Sequence, residues 1–100
     1  MKEPYTIDQL KSKLIPIFRS NNVRKATLFG SYSKGCAVKS SDVDLYVDCD
    51  LHGMRFFGLL EDVCTSLDCD VDLIHKDDVI PNSVIDHEIR STGVVIYEQQ

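Results

Sequence analysis

The sequence predicts an α/β (α+β) domain built on a small mixed sheet of about four strands, with helices mainly on one face. Segments with helical and with strand periodicity alternate along the chain, and the short apolar runs are bounded by turn residues. The 100 residues contain no internal repeat and no linker rich in Pro, Gly or Ser. We therefore expect residues 1–100 to form one domain with a single small core.

The first predicted element is a helix from Thr6 to about Phe18. Apolar residues recur there at helical spacing, and Thr6 with Gln9 has the form of a capping box. Pro16 removes a backbone donor and crowds the preceding turn. We expect the helix to kink at Pro16, or to end near Leu14 and resume as a short turn.

Two strands are predicted next, separated by a polar loop or short helix. Residues 26–29 form an apolar run that ends on Gly30, which is typical of a buried strand. Residues 42–48 read Asp-Val-Asp-Leu-Tyr-Val-Asp and alternate as a second strand would.

The second half of the chain continues the alternation. Residues 54–67 place their apolar side chains on one helical stripe, and residues 70–74 return to strand periodicity. Residues 82–91 follow Pro81 and are predicted to form a helix, and residues 94–97 form the last strand. These helices would cover mainly one face of the sheet.

The charge of the chain limits its partners. Its formal net charge is -5, and its isoelectric point is about 5.0. An acidic surface repels long DNA or RNA, whereas a metal ion can locally mask the phosphates of a small nucleotide. We therefore expect no long nucleic acid among the ligands.

The remaining composition predicts a cytoplasmic protein. No run approaches the roughly 18 apolar residues of a membrane span, and the N-terminus has no apolar signal core. The cysteines have irregular spacings and form no Cys-x-x-Cys pair, as expected of reduced thiols. They are Cys36, Cys49, Cys64 and Cys69.

An Asp-x-Asp pair on the second predicted strand is the first candidate for chemistry. Asp42 and Asp44 would share one face of that strand, about 7 Å apart, and would repel each other. Asp72 lies in a second Asp-x-Asp pattern on the next predicted strand. If the two strands are neighbours, three carboxylates converge, and such oxygen-only ligands favour Mg²⁺ or Mn²⁺. Two shared ions could then orient a triphosphate.

A Gly-Ser turn precedes this pair and is the candidate phosphate site. Gly30 lets the backbone approach a phosphate closely, and Ser31 offers both its N–H and its hydroxyl. Lys34 could neutralise a further phosphate oxygen. Together the Gly-Ser turn and the Asp-x-Asp pair predict that a nucleoside triphosphate binds between them, with metal ions held by the aspartates.

The stretch GSYSKGCAVKSSDVDL, residues 30–45, resembles the signature of the polymerase-beta-like nucleotidyltransferase superfamily. The length and the final GVVIYE resemble in particular the minimal nucleotidyltransferases, which are antitoxins of toxin–antitoxin pairs. This resemblance implies the polymerase-beta-like fold, with Asp42, Asp44 and Asp72 as catalytic ligands of two Mg²⁺ ions. Gly30 and Ser31 would contact the phosphates of ATP.

Three positions leave alternatives open. The family usually has Arg where this chain has Lys34, so a bidentate phosphate contact becomes a point charge. Asp70 competes with Asp72 as the third carboxylate, although the Val-Asp-Leu pattern favours Asp72. Ser41 either shapes the turn before the strand through a local hydrogen bond or contacts the nucleotide.

Other polar residues are expected at the surface. The histidines share no metal-ligand spacing, which favours loop or surface roles for His52, His75 and His87. Seven further carboxylates are expected to be solvated surface charges. They are Asp48, Asp50, Asp62, Asp68, Asp77, Asp78 and Glu88.

The resemblance implies a Mg²⁺-dependent enzyme that moves AMP from ATP to a hydroxyl of a partner protein. The partner would be a HEPN-domain toxin, modified on Tyr, and the two chains could assemble into an oligomer. Asp72 would act as the base. Two alternatives remain: an antitoxin that neutralises by binding alone, and a nucleotidyltransferase with a small-molecule acceptor. The size of the chain favours a protein acceptor, because we expect these residues to form one domain, without a second one to hold a small substrate.

Overall fold

The computed structural model describes residues 5–30, 32 and 42–99. Its main elements follow the order α, β, β, α, β, α, β. They are α1 (Ile7–Ser20), β1 (Lys25–Phe29), β2 (Val43–Asp48), α2 (Met54–Leu67), β3 (Val71–His75), α3 (Val84–Thr92) and β4 (Val94–Glu98), with a 3-10 turn at Lys76–Asp78. The predicted α/β class and its mixed four-stranded sheet are confirmed. The predicted loop or short helix at 31–41 lies outside the described residues, apart from Tyr32.

The sheet has the strand order β3-β2-β1-β4. β1 pairs antiparallel with β2 and with β4, while β2 and β3 are parallel. The parallel pair is connected through α2, which is the crossover that such a pair requires. As a consequence, β2 and β3 begin at the same end of the sheet, and β1 ends there.

One face of the sheet is covered by α1 and α2. Val43, Leu45 and Val47 alternate along β2 and are fully buried, which places them on that face. The helices contribute buried stripes at helical spacing. These are Leu10, Leu14 and Phe18 from α1, and Leu59, Val63 and Leu67 from α2. The core therefore lies between the two helices and the sheet.

The opposite face is covered only in part, by α3. This helix contacts β1, and Gly93 at its C-terminus packs so closely that an added Cβ would lie 2.7 Å from Cγ2 of Thr27. Asp44 and Tyr46, which point to this face from β2, are half-buried. The side of the sheet formed by β2 and β3 is therefore more open.

One of the two alternatives predicted at Pro16, that the helix ends near Leu14, was wrong. The capping box of Thr6 and Gln9 begins α1 as expected, but the helix continues through Pro16 to Ser20. Pro16 lies on the exposed side of α1, where water can solvate the carbonyl that loses its partner. Burial of Phe18 in the core holds the last turn in place.

Candidate active site

The candidate site begins with the register of the parallel strands. Asp44 of β2 lies directly beside Asp72 of β3, at the end of the sheet where both strands start. The neighbours of Asp44 in sequence, Val43 and Leu45, point into the core. Both carboxylates therefore project from the open face, on adjacent strands about 4.8 Å apart. Asp42 immediately precedes β2 and is exposed.

The third strand brings Gly30 against the same carboxylate. Phe29, the last residue of β1, pairs with Asp44, and Gly30 follows with a φ of +75°. A Cβ built on Gly30 would overlap Oδ2 of Asp44 and lie 3.2 Å from its Cγ. Only glycine combines this left-handed backbone with such a close approach. The backbone of Gly30 and the carboxylate of Asp44 are thus in close contact.

Electrostatic strain is concentrated on Asp44. Partial burial, followed by the charges of Asp72, Asp42 and Glu88, raises the pKa of Asp44 from 3.8 to about 6. Each of these causes disfavours the ionised form of the Asp44 carboxyl. A cation bound between the carboxylates would relieve this repulsion, and the oxygen-only donors are those that Mg²⁺ prefers. Asp42, Asp44 and Asp72 therefore fit a magnesium site by their chemistry.

The structure places Asp72, rather than Asp70, beside Asp44. Asp70 precedes β3, and its carbonyl oxygen accepts a hydrogen bond of 3.1 Å from the backbone N–H of Val43. Its side chain would lie one step further along the open face, next to the position of Asp42. The phosphate-contacting residues proposed from the sequence, Ser31, Lys34 and Ser41, lie outside the described residues.

Glu88 joins this acidic group, although the sequence analysis expected a solvated surface charge. It lies on α3, is half-buried, and contributes to the raised pKa of Asp44. Helical spacing places Glu88 near the face of α3 that carries Ile85 and Ile89, three residues before it and one after it. That spacing is the signal that could have revealed Glu88, provided that the docking face of α3 were known.

A second group of potential ligands lies at the other end of the strands. Among the described residues, His52, His75 and Asp77 are the only three His, Cys, Asp or Glu side chains with ligand atoms all within 4.8 Å of one another. The aspartates of the candidate site are more widely spaced. Nδ1 of His75 accepts a 3.0 Å hydrogen bond from the N–H of Asp77, which occupies the lone pair that a metal would need. We therefore assign no metal to this group.

The expected surface role of His75 was wrong. His75 is the last residue of β3 and is only 4% exposed. Its ring lies 4.7 Å from that of His52 and meets Phe56 edge-on. Strand alternation turns His75 towards the helices, beside Val47, so it belongs to the core.

Two further features concern the helices and the cysteines. Within the described part of the chain, neither of the longest helices, α1 and α2, is long and apolar enough to cross a membrane. Cys49, Cys64 and Cys69 are free thiols. Burial raises the pKa of Cys49 and of Cys69, which makes both poor nucleophiles.

Several known proteins resemble this chain in sequence or in fold. A 42-residue stretch is 38% identical to MJ0435 of Methanocaldococcus jannaschii, named as a candidate protein adenylyltransferase; the stretch covers 42% of this chain and 45% of the relative. A toxin–antitoxin structure with AMP-PNP has a TM-score of 0.76 and 28% identity over 90% of this chain and 74% of the other. The structure of an MntA-HpeT toxin–antitoxin mutant has a TM-score of 0.75 and 26% identity, again over 90% of this chain and 74% of the other.

A further structure supports the fold alone. It contains a tri-AMPylated HEPN toxin of Shewanella oneidensis with its MNT antitoxin, and the matched chain has a TM-score of 0.71 at 24% identity, over 95% of this chain and 75% of the other.

The family model described as polymerase beta, nucleotidyltransferase matches residues 12–100. This match includes the Gly30 turn and all three aspartates, and the chain belongs to the polymerase beta nucleotidyltransferase family.

Proposed function

We propose that this protein transfers AMP from ATP to a hydroxyl group of a partner protein, in a Mg²⁺-dependent reaction. The observation that carries the proposal is the pairing of Asp44 with Asp72 beside the close backbone of Gly30. Carboxylates and a glycine turn at one sheet end are what a metal-bound triphosphate needs.

In the proposed reaction, Asp42, Asp44 and Asp72 would hold two Mg²⁺ ions, which neutralise phosphate charge when bound. The turn at Gly30 and Ser31 would bind the phosphates, with Lys34 neutralising a further oxygen and Ser41 close to the nucleotide. The acceptor oxygen forms a new bond to the α-phosphorus, and the bond to the bridging oxygen of the β-phosphate breaks. Asp72 takes the hydroxyl proton, and pyrophosphate leaves. Asp72 suits this role because its side chain is exposed, so that the hydroxyl of an acceptor can reach it.

The proposed partner is a HEPN-domain toxin, modified on Tyr, with this chain as its antitoxin. Two solved chains at 26% and 28% identity belong to toxin–antitoxin complexes, and one of those complexes contains an ATP analogue. The small size of the domain also suits an acceptor that supplies its own binding surface. We place the reaction in the cytoplasm, where ATP and Mg²⁺ are abundant.

The test is label transfer from α-labelled ATP to the purified HEPN toxin from the same source. We expect one labelled toxin band with the wild type and none with an Asp42→Asn/Asp44→Asn variant. Asp62→Asn is the matched control, because Asp62 is exposed on α2 and faces away from the site. It should label the toxin like the wild type.

The other outcomes separate the alternatives. If the wild type transfers no label to the toxin and the double variant still neutralises the toxin, the protein acts by binding alone. If label is transferred only to a small hydroxyl compound, the acceptor class is wrong. If the toxin is neither bound nor labelled, the partner is wrong.

A further inference from the structure

An apolar groove lies on the open side of the sheet, between β3 and the start of α3. It has a volume of about 280 Å³. Its lining residues are Ile74, Asp78, Val79, Ile80, Ser83, Val84 and Ile85. Nearly all of its surface is therefore aliphatic, with a single carboxylate at the edge.

The apolar side chains around this groove are unusually exposed. Ile80 is 72% exposed, Val84 83% and Ile85 43%. Single exposed apolar residues are common, but a contiguous group marks a surface that another molecule covers. Ile80 and Val84 stand out from the rim rather than enclosing a cavity. That shape suits a protein surface better than a purine base, which is usually held in an enclosed pocket.

The groove neighbours the candidate active site along β3 and α3. Ile74 is two residues after Asp72 on β3, so both side chains project from the same face, about 7 Å apart along the strand. On the other wall, Ile85 lies three residues before Glu88, whose charge acts on Asp44. A segment bound in the groove would therefore reach the proposed base within a few residues.

Charge defines the chemistry of that segment further. Asp78 lines the groove and is exposed, and no ion pair of Asp78 is found in the described part of the chain. Asp77 beside it is also exposed, while the net charge of the chain is -5. An incoming segment with a basic residue next to its apolar side chain would be attracted and correctly oriented.

We infer that this groove binds the partner-protein segment that flanks the acceptor hydroxyl, with an apolar side chain between Ile74 and Val84 and a Lys or Arg beside Asp78. The inference rests on the proposed function, because it assigns the docking surface of that reaction. It also explains how a domain of this size could select a protein acceptor: the groove positions the segment, and Asp72 meets its hydroxyl.

The test compares Ile80→Ser/Val84→Ser with Met54→Ser as matched control. Met54 and Val84 are both 83% exposed, so neither replacement creates a cavity, and Met54 begins α2 instead of lining the groove. With purified HEPN toxin as acceptor, we expect the KM for toxin to rise about tenfold or more in the double variant, as for loss of a central interface contact. The KM for ATP should stay within about twofold, and Met54→Ser should match the wild type.

Charge reversal gives an independent readout. Asp78→Lys should also raise the KM for toxin, and the difference from wild type should shrink at high salt. Circular dichroism melting of each variant excludes unfolding as the cause.

Three outcomes would overturn the inference while the proposed function stands. An unchanged KM for toxin in the double variant would show that the groove does not bind the acceptor segment, even though the proposed reaction stands. A raised KM for ATP alone would identify the groove as a nucleotide-base site. If the wild type is a dimer and the double variant is a monomer that still labels the toxin, the groove is a contact between two copies of this chain. If the wild type labels no toxin at all, the proposed function fails first and the docking surface with it.

Discussion

Gly30 lies so close to Asp44 that a Cβ on the glycine would overlap the Oδ2 atom of the carboxylate. The two residues belong to paired strands, since Phe29 of β1 is opposite Asp44 of β2. This contact links the proposed phosphate turn to the proposed metal ligands.

Replacing Gly30 with Ala should impair activity more than stability. The left-handed backbone at φ +75° would cost about 1 kcal/mol with a side chain, and the carboxylate of Asp44 would be pushed aside. We expect a moderate loss of thermal stability and a loss of AMP transfer of about a hundredfold, because misplacing a catalytic group by about 1 Å has that effect.

Gly58→Ala is the control for this variant. Gly58 lies inside α2, and an added Cβ there would meet no atom within 4 Å. Alanine should stabilise this helix by about 0.5 to 1 kcal/mol and leave activity unchanged. Equal activity of the two alanine variants would show that the close contact of Gly30 with Asp44 has no role in catalysis.

The raised pKa of Asp44 predicts a pH-dependent instability of the metal-free protein. The folded state binds this proton more tightly than the unfolded state, so ionisation destabilises the fold. The penalty is absent below pH 3.8, grows as pH rises to about 6, and is fully present above it. Solvent screening of the half-exposed carboxyl should hold it to about 1 kcal/mol.

Asp44→Asn removes this charge and should raise the melting temperature of the metal-free protein at pH 7.5 by about 4 °C. At pH 4 the variant and the wild type should melt together. Mg²⁺ should stabilise the wild type and not the variant. A variant less stable than the wild type at pH 7.5 would contradict the charge repulsion at Asp44.

Asp72 and Asp70 offer a matched pair for the third carboxylate. Asp72 pairs with Asp44, whereas Asp70 lies before the strand. Asp72→Asn should lower kcat for AMP transfer about a hundredfold or more, as for loss of a general base and metal ligand. Asp70→Asn should have little effect. The opposite order of losses would reassign the third ligand to Asp70.

Metal removal should distinguish the aspartates from the histidine group. Chelation with EDTA should abolish AMP transfer, and Mg²⁺ or Mn²⁺ should restore it, because both favour oxygen ligands. His52→Ala should show the same metal response as the wild type, since Nδ1 of His75 is already hydrogen-bonded to the N–H of Asp77. A changed metal requirement in this variant would place a functional ion at His52, His75 and Asp77.

Pro16 predicts a gain in stability on replacement. It lies inside α1 on the exposed side, so Pro16→Ala removes little packing. The helical cost of proline is about 3 kcal/mol, and the entropy that proline removes from the unfolded chain offsets about 1 kcal/mol of it. We expect chemical denaturation to show an increase of about 1 to 2 kcal/mol. An unchanged or lower stability would indicate that the ring of Pro16 contributes packing that its exposure does not reveal.

Local patterns were sufficient to predict most of the fold. The helical stripe of Met54–Leu67 and the alternation of Val43–Asp48 depend on periods of 3.6 and 2 residues, which the sequence displays directly. The same alternation put Asp42 and Asp44 on one face. The helix continued through Pro16 because burial of Phe18 in the core, a tertiary effect, outweighed the local cost.

The sequence by itself determined the residue types of the candidate site and their order along the chain. Only the tertiary structure decided which of them meet. The pairing of Asp44 with Asp72, the contact of Gly30 with Asp44, the approach of Glu88 on α3 and the stacking of His52 on buried His75 all join residues distant in sequence. Such contacts depend on strand register and helix docking, which arise from packing of the whole core rather than from any local period.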